Sequence, residues 1–288
     1  MSTTIKEILK SSTEVLSNKL KCSNSLSRMD AEYCLMKVLK KDRVFLYMSE
    51  NTELSKNKIS QYNLLLKQRE SGRPLAQILG TQQFYKSEFL IDNNVLIPRP
   101  ETEILISEIL KRGDKLYKKQ GSLILIDAGA GTGCIGISLA LERENWKIFL
   151  VENALKSLNI LNLNLQKFKL KNCNIIFSNW LSAFDNDFVD IVVSNPPYID
   201  ELANDVDGNV KKFEPISSLF AKDNGLSEIN KIIVESKRVI KKTGLLLLEN
   251  GYNQSKNVIS MLRKNYYKDI KTILDYNGIK RFVVSRRS

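Results

Sequence analysis

The residues best suited to chemistry form a short segment in the second half of the chain. Asn195, Pro196, Pro197 and Tyr198 directly follow an apolar stretch, residues 189–194, that is predicted to be a strand. Two prolines fix the backbone and donate no peptide hydrogen bonds, so the segment presents carbonyl acceptors. A rigid surface turn is the structural alternative. The position after a predicted core strand favours function, because α/β folds bind ligands at the carboxyl ends of such strands.

These groups fit a planar NH2 group, either an amide or an aromatic amine. The nitrogen of such a group is a weak nucleophile because its lone pair is delocalised. The side-chain carbonyl of Asn195 and the backbone carbonyl of Pro196 would hold its two protons and turn the lone pair toward a methyl sulfonium. Catalysis by orientation and polarisation needs no strong base. It is compatible with a chain that contains no histidine, which excludes serine–histidine and cysteine–histidine mechanisms.

A glycine-rich turn lies upstream, between a predicted strand and a predicted helix. It consists of Asp127, Ala128, Gly129, Ala130, Gly131, Thr132 and Gly133. Glycines let the backbone approach a ligand, and Gly131-x-Gly133-x-x-Gly136 matches the dinucleotide fingerprint by letter. However, the carboxylate of Asp127 would lie where a pyrophosphate belongs. It suits the amino group of S-adenosylmethionine better, so we expect this cofactor rather than a nicotinamide, with a simple strand-end cap as the alternative for Asp127.

A second acidic residue ends the next predicted strand. Glu152 follows residues 147–151, about 20 residues past the glycine turn, where an acidic side chain can bind a ribose diol. Either nucleoside cofactor would use this contact, so Glu152 indicates a nucleoside and does not choose between them. Its alternative is a solvent-exposed strand end.

Composition excludes several classes of protein. Of the 288 residues, 43% are hydrophobic and 26% are charged, as in soluble globular proteins, and the length allows two domains. No apolar run reaches the roughly 18 residues of a membrane span, and the predicted amphipathic helix at residues 1–10 lacks a signal-peptide core. We therefore expect a cytoplasmic protein. The four cysteines form no Cys-x-x-Cys pair, so no metal site is expected.

The net charge of +12 has two interpretations, a nucleic-acid partner or a general lysine bias. The lysines are spread along the chain without a long basic block, which favours the second interpretation. We expect no direct nucleic-acid partner, and we expect a monomer.

The first part of the chain is predicted to be helical. Residues 1–79 carry apolar stripes at helical spacing and predict a small bundle, with Ser55 beginning the third helix and Gly72 ending it. Residues 80–100 are predicted to be a hairpin and linker. The hairpin would use residues 84–85 and 88–97, with its turn near residues 93–94.

Strands and helices alternate over residues 101–288 and predict a doubly wound, mostly parallel sheet. The predicted strands are residues 123–126, 147–151, 174–177, 189–194, 245–249 and 281–285. The predicted helices are residues 101–111, 135–142, 154–168 and 228–240, with one more in the tail.

These segments together resemble a known family, the HemK/PrmC protein-glutamine N-methyltransferases. The matching motifs are Gly80-x-x-x-Phe84-Tyr85, Ile-Pro-Arg-Pro-Glu-Thr-Glu at 97–103, the turn at 127–133, Asn-Pro-Pro-Tyr at 195–198, Phe-Glu-Pro at 213–215 and Glu249-x-Gly251-x-x-Gln254. The resemblance spans nearly the whole chain. It implies a class I S-adenosylmethionine-dependent, Rossmann-like methyltransferase fold behind a helical substrate-recognition domain.

The resemblance also implies an activity and its residues. The substrate would be the Gly-Gly-Gln glutamine of class I peptide chain release factors, modified in support of translation termination, with S-adenosylhomocysteine as the other product. Residues Asn195 to Tyr198 would hold the glutamine, with Asn195, Pro196 and Tyr198 catalytic. The cofactor contacts would be Gly129, Ala130, Gly131, Thr132, Gly133, Glu152, Trp180 and Asn195, with Asp127 in the same loop.

Three positions depart from the family pattern. Glu152 stands where aspartate is usual, so the ribose contact must be made by a side chain that is one methylene longer. Asn179 also replaces an aspartate, which puts a carboxylate contact to the adenine in doubt, and Ala130 replaces a common threonine.

Three other functions stay open. They are a glutamine methyltransferase acting on a ribosomal protein, an adenine-amine DNA methyltransferase, and a non-catalytic binding module. The chain shows no inserted basic recognition domain of the kind a DNA enzyme needs to extract its base.

Overall fold

The structure, a computed structural model, describes residues 3–203 and 206–288. Its backbone separates into two compact units, one formed by Met1–Thr81 with Gly208–Phe213 and the other by Gln82–Asp207 with Glu214–Ser288. The predicted helix at the start of the chain begins only at Ile5, and residues 1 and 2 lie outside the described part.

The first unit is helical, as its apolar stripes predict. These stripes form one buried cluster that includes Leu9, Leu35 and Tyr62. Ser55 caps the third long helix as predicted, accepting a hydrogen bond from the backbone of Lys58, but the helix ends at Glu70 with Ser71 rather than Gly72 as its cap. The helices are Ile5–Leu20, Asn24–Leu39, Arg43–Met48, Lys56–Glu70, Leu75–Leu79 and Gly208–Phe213, and Thr3–Thr4 pairs with Glu53–Leu54.

The central sheet of the second unit has the strands β1 (Ile124–Ala128), β2 (Lys147–Glu152), β3 (Cys173–Phe177), β4 (Val189–Ser194), β5 (Ile240–Glu249), β6 (Tyr267–Leu274) and β7 (Lys280–Arg287). Their order is β6-β7-β5-β4-β1-β2-β3, with β7 antiparallel to both neighbours and the other pairings parallel. The predicted mostly parallel sheet is therefore confirmed. β2 and β3 are added on one side of β1, and β4 is added on its other side. In α/β folds a ligand crevice forms at such a point, where the order of the strands changes direction.

Helices cover both faces of this sheet, so its central strands are apolar on both sides. In β1, Leu125 packs into one layer and Ile126 into the other. The first layer contains the helices Glu103–Gln120, Cys134–Glu142 and Leu155–Phe168, and the second contains Ser227–Val239 and Ser255–Lys264. Shorter elements are the parallel pair Ile199–Asp200 and Phe220–Ala221, the segment Lys222–Gly225, and the 3-10 turns Pro100–Thr102 and Ile216–Ser218.

One further prediction about the elements was wrong, and one strand was not predicted. The hairpin consists of Thr81–Phe84 and Ser87–Leu90 and turns at Tyr85, whose φ is 55°, not near residues 93–94. Asn94 instead lies in a separate turn held by the side chain of Asp92, which accepts a hydrogen bond from its backbone. Strand β6 was not predicted, because most of its side chains are polar or only partly buried.

No helix in the described part of the chain has the length and apolar character needed to cross a membrane. The same residues contain no cluster of cysteine, aspartate or glutamate side chains placed to hold a metal ion.

Candidate active site

A cavity of about 600 Å³ lies in the second unit at the carboxyl ends of β1, β2 and β4. This volume is within the range of small-molecule sites. Of the residues predicted to act in the site, those on its wall are Gly129, Ala130, Gly131, Thr132, Glu152, Trp180, Asn195 and Pro197. Asp127, Gly133, Pro196 and Tyr198 are neighbours of these residues in sequence but do not line the cavity.

The glycine turn has the backbone shape that only glycine adopts freely. Gly129, Gly131 and Gly133 have φ values of 78°, 55° and 81°. A side chain on Gly129 would also collide with the Trp180 ring, 2.9 Å from the position of a Cβ. At Gly131 nothing lies within 4 Å of that position. The turn therefore keeps one face of its backbone open, as a bound cofactor requires.

The carboxylate of Glu152 joins the turns that follow β1 and β2. One oxygen accepts a hydrogen bond from the backbone of Gly131 at 3.0 Å, and the other accepts from Asn153 and Ala154 at 2.9 and 2.8 Å. A carboxylate oxygen accepts more than one hydrogen bond, so the oxygen facing Gly131 can also take a hydroxyl. The geometry fits a ribose contact despite the extra methylene of glutamate.

Asp127 lies beneath the glycine turn and is only 1% exposed. One carboxylate oxygen accepts from the backbone of Gly136 at 2.9 Å, while the other has no partner among the described residues. Burial raises the pKa of Asp127 to about 7, and the nearby charge of Glu152 adds to the shift. An unpartnered buried carboxylate oxygen suits a cationic group, but it faces the protein interior, so its contact with a cofactor stays a prediction.

Trp180 closes one side of the cavity. Its indole N–H donates to the carboxylate of Glu228 at 2.7 Å, and Lys231 donates to the other oxygen of that carboxylate at 2.7 Å. Asn179, which stands where the family pattern has aspartate, is exposed and does not line the cavity. Glu228 therefore places a carboxylate beside Trp180, and sequence reasoning missed it because it belongs to a helix distant in sequence.

Asn195 lines the cavity, and its side-chain amide carries an unpaired acceptor. Its side-chain oxygen is buried without a hydrogen-bond partner among the described residues, and its side-chain nitrogen donates to the Thr102 hydroxyl at 3.3 Å. Buried polar atoms are nearly always paired in native proteins, so an orphaned oxygen at a cavity wall indicates a ligand that donates a hydrogen bond.

A buried carboxylate lies behind this asparagine. Glu249, at the end of β5, accepts from the Thr102 hydroxyl at 2.7 Å and from the Tyr198 hydroxyl at 3.1 Å. Burial raises the pKa of Glu249 to about 7, whereas the two hydroxyl donors favour its charged form. Burial likewise raises the pKa of Tyr198 above its usual range. Thr102 and Glu249 belong to motifs quoted above, but nothing in those motifs predicts that the two side chains are in contact.

Other motif residues hold the walls of the site. Glu214 is buried and accepts from the Arg99 guanidinium at 2.6 Å and from the backbone of Ile97 at 3.1 Å. Gln254 donates to the backbone carbonyl of Tyr198 at 2.8 Å and accepts from the backbone of Gly251 at 2.8 Å. These side chains fix backbone segments next to the cavity.

Comparison with known proteins agrees with this geometry. The family model described as PrmC N-terminal domain matches residues 8–80, and the model described as Methyltransferase small domain matches residues 101–213. A release factor glutamine methyltransferase from Coxiella burnetii is 34% identical over 97% of this chain and 99% of its own length. Another from Buchnera aphidicola is 36% identical over 93% of this chain and 95% of its own length.

A solved structure shows the same fold. The catalytic domain of hMettl16, in complex with the MAT2A 3′UTR hairpin 6, superposes with a TM-score of 0.54 at 16% identity, over 81% of this chain and 82% of that one. The predicted class I methyltransferase fold is confirmed by this likeness and by the seven-stranded sheet.

Proposed function

We propose that this chain, which belongs to the family of release factor glutamine methyltransferases, methylates the glutamine of the Gly-Gly-Gln loop in class I peptide chain release factors. The methyl group comes from S-adenosylmethionine and goes to the side-chain amide nitrogen, which loses one proton. S-adenosylhomocysteine is the other product. The observation that carries this proposal is the unpaired side-chain oxygen of Asn195, a residue that lines the cavity, because an amide NH2 requires such an acceptor.

The residues of the cavity divide between cofactor and substrate. The open backbone of the glycine turn, Glu152 and Trp180 would hold S-adenosylmethionine, which supplies an electrophilic methyl sulfonium when bound. Asn195 would accept one amide N–H of the substrate glutamine, and the backbone carbonyl of Pro196, which adjoins Asn195 but does not itself line the cavity, would accept the other. Both contacts hold the nitrogen in place and direct its lone pair into the cavity.

The setting of the reaction follows from the proposed substrate. Release factors act on the ribosome, so we expect a cytoplasmic enzyme whose partner is a protein. We expect the chain to work as a monomer and without direct contact to nucleic acid.

The proposed function is tested by offering the chain its competing substrates in parallel. Purified release factor, ribosomal proteins and duplex DNA are each incubated with the protein and S-adenosylmethionine carrying a labelled methyl group. The label should enter the release factor. Label in a ribosomal protein or in DNA, with none in the release factor, would overturn the assignment in favour of one of the alternatives.

The first prediction concerns the cofactor. Glu152→Ala should weaken S-adenosylmethionine binding by about 1.5–3 kcal/mol, because a hydrogen bond to a charged group is lost and three backbone N–H groups lose their acceptor. Titration calorimetry measures the change, and Glu144→Ala, the same substitution at an exposed glutamate, is the matched control. Unchanged affinity in Glu152→Ala, or tight binding of NADH by the wild type, would refute the cofactor assignment.

The second prediction concerns the first unit. A glutamine side chain offers little surface, so selection of one glutamine in one protein needs contacts elsewhere. We propose that the first unit supplies them by holding a part of the release factor remote from the Gly-Gly-Gln loop. The intact release factor should therefore be methylated with a kcat/KM more than about tenfold above that of a short peptide carrying the loop.

This test uses the full chain, because the helix Gly208–Phe213 belongs to the first unit. The side chain of Gln77 donates to the backbone carbonyl of Phe213 at 2.7 Å, and Asn209 lies directly against Gly72. A truncation near residue 80 would leave that helix without its partners. Equal kcat/KM values for peptide and intact release factor would mean that the first unit has another role.

A further inference from the structure

A chain of hydrogen bonds leads from the buried carboxylate of Glu249 to the cavity wall. The Thr102 hydroxyl lies 2.7 Å from a Glu249 oxygen, and the side-chain nitrogen of Asn195 lies 3.3 Å from the same hydroxyl. The two bonds join residues from the 3-10 turn Pro100–Thr102, the end of β4 and the end of β5. Thr102 is 2% exposed and Glu249 is 1% exposed, so bulk water does not compete for these bonds.

The direction of each bond follows from the donors available. With Glu249 ionised, as its two O–H donors favour, the carboxylate only accepts hydrogen bonds, and the threonine hydroxyl has a single proton to donate. The Thr102 proton therefore points to Glu249, and the lone pairs of the hydroxyl are left for Asn195. Only the NH2 end of the Asn195 amide can satisfy them, since its oxygen would face another oxygen.

The second oxygen of Glu249 is also engaged. Tyr198 donates its hydroxyl to that oxygen at 3.1 Å, so each carboxylate oxygen receives an O–H donor. The carboxylate thus holds the Thr102 hydroxyl in one orientation with one oxygen. With its other oxygen it holds the side chain of Tyr198, three residues after Asn195. The side chain of an isolated asparagine could present either end of its amide to a ligand, and this arrangement leaves only one.

We propose that Thr102 and Glu249 form a relay that fixes the Asn195 amide with its oxygen toward the cavity, so that the site accepts an NH2 group and rejects a carbonyl or carboxylate oxygen. Both are positioning residues that act through Asn195. The inference rests on the proposed function, because the group to be selected is the amide of a glutamine. Selection of glutamine over glutamate then follows from the direction of hydrogen bonds as well as from charge.

Removal of the Thr102 hydroxyl tests the relay. Thr102→Val keeps the shape of the side chain but lets the Asn195 amide turn, so kcat should fall about tenfold, the effect of one hydrogen bond, while KM changes less. Thr102→Ser keeps the hydroxyl and should restore kcat. Thr272→Val makes the same substitution in β6, away from the cavity, and is the matched control. Thr102→Ala removes the same hydroxyl and replaces Thr102→Val if that variant does not fold.

A second readout separates orientation from general damage. A release factor with glutamate in place of the Gly-Gly-Gln glutamine should inhibit the wild type weakly, because its carboxylate faces the Asn195 oxygen. In Thr102→Val the turned amide offers its N–H groups, so this inhibitor should bind more tightly relative to the glutamine form. A merely structural role of Thr102 would weaken the binding of both forms alike.

Neutron diffraction of the wild-type protein locates the Thr102 hydrogen without any substrate. The relay places it between Thr102 and Glu249, with both Asn195 amide hydrogens on the nitrogen that faces Thr102. A hydrogen pointing from Thr102 to Asn195 would overturn the relay, as would wild-type kcat and inhibitor selectivity in Thr102→Val. Failure of the wild type to methylate any release factor would instead contradict the proposed function and leave the neutron result to judge the relay.

Discussion

Replacement of Asn195 by alanine is expected to lower kcat for release factor methylation about a hundredfold or more, while the protein stays folded. The variant loses the unpaired side-chain oxygen that is proposed to orient the substrate amide. Because an amide nitrogen has a delocalised lone pair, its reactivity depends on orientation more than that of an amine would. Single-turnover kinetics with saturating release factor measure the loss.

Two measurements show that the loss concerns catalysis. The affinity for S-adenosylmethionine should change much less than kcat, because the glycine turn and Glu152 remain in place. Asn257→Ala, the same substitution at an exposed asparagine of the second unit that does not line the cavity, should leave kcat unchanged. A folded Asn195→Ala variant that methylates at close to the wild-type rate would contradict the role given to this residue.

Replacement of Arg99 by methionine is expected to destabilise the second unit by about 3–5 kcal/mol. The carboxylate of Glu214 is buried, and Arg99 is the cation that neutralises it at 2.6 Å. Without the guanidinium, the donor that remains to the buried carboxylate among the described residues is the backbone N–H of Ile97. Urea unfolding followed by tryptophan fluorescence reports this unit, since Trp146 and Trp180 both belong to it.

A double variant distinguishes loss of the ion pair from loss of packing. In Arg99→Met combined with Glu214→Met, no charge is left uncompensated, so the double variant should be more stable than Arg99→Met alone. If the single variant unfolds at the wild-type urea concentration, or if the second substitution adds further loss, the ion pair does not hold the site in the way described.

Local patterns predicted most of the elements. The apolar runs of β1, β2 and β4 are buried on both faces, and their shortness and β-branched residues predict strands rather than buried helices. Ser55 was recognised as a cap because capping is a contact between residues three apart. Strand β6 was missed because it lies at the sheet edge, where few of its side chains are buried. Its extended conformation is stabilised by pairing with β7, which the local sequence does not show.

The site was predictable only in part, for the same reason. The glycine turn and the segment after β4 each carry their signal within a few neighbouring residues. The contact between Thr102 and Glu249 joins residues 147 positions apart, and that between Thr102 and Asn195 spans 93 positions. No periodicity reports such pairs, since they are created by the packing of the sheet. For Asp127, the sequence indicated a carboxylate beside the cofactor loop but not that it faces Gly136 beneath the turn.

The central claim is that this chain methylates the side-chain nitrogen of one glutamine. Fragmentation mass spectrometry of release factor incubated with the chain and S-adenosylmethionine tests it most directly. The account predicts one added methyl group on the glutamine of the Gly-Gly-Gln loop, absent with Asn195→Ala and absent when that glutamine is replaced by glutamate. A methyl group on a different residue, or an unmodified loop after incubation with active wild-type protein, would contradict it.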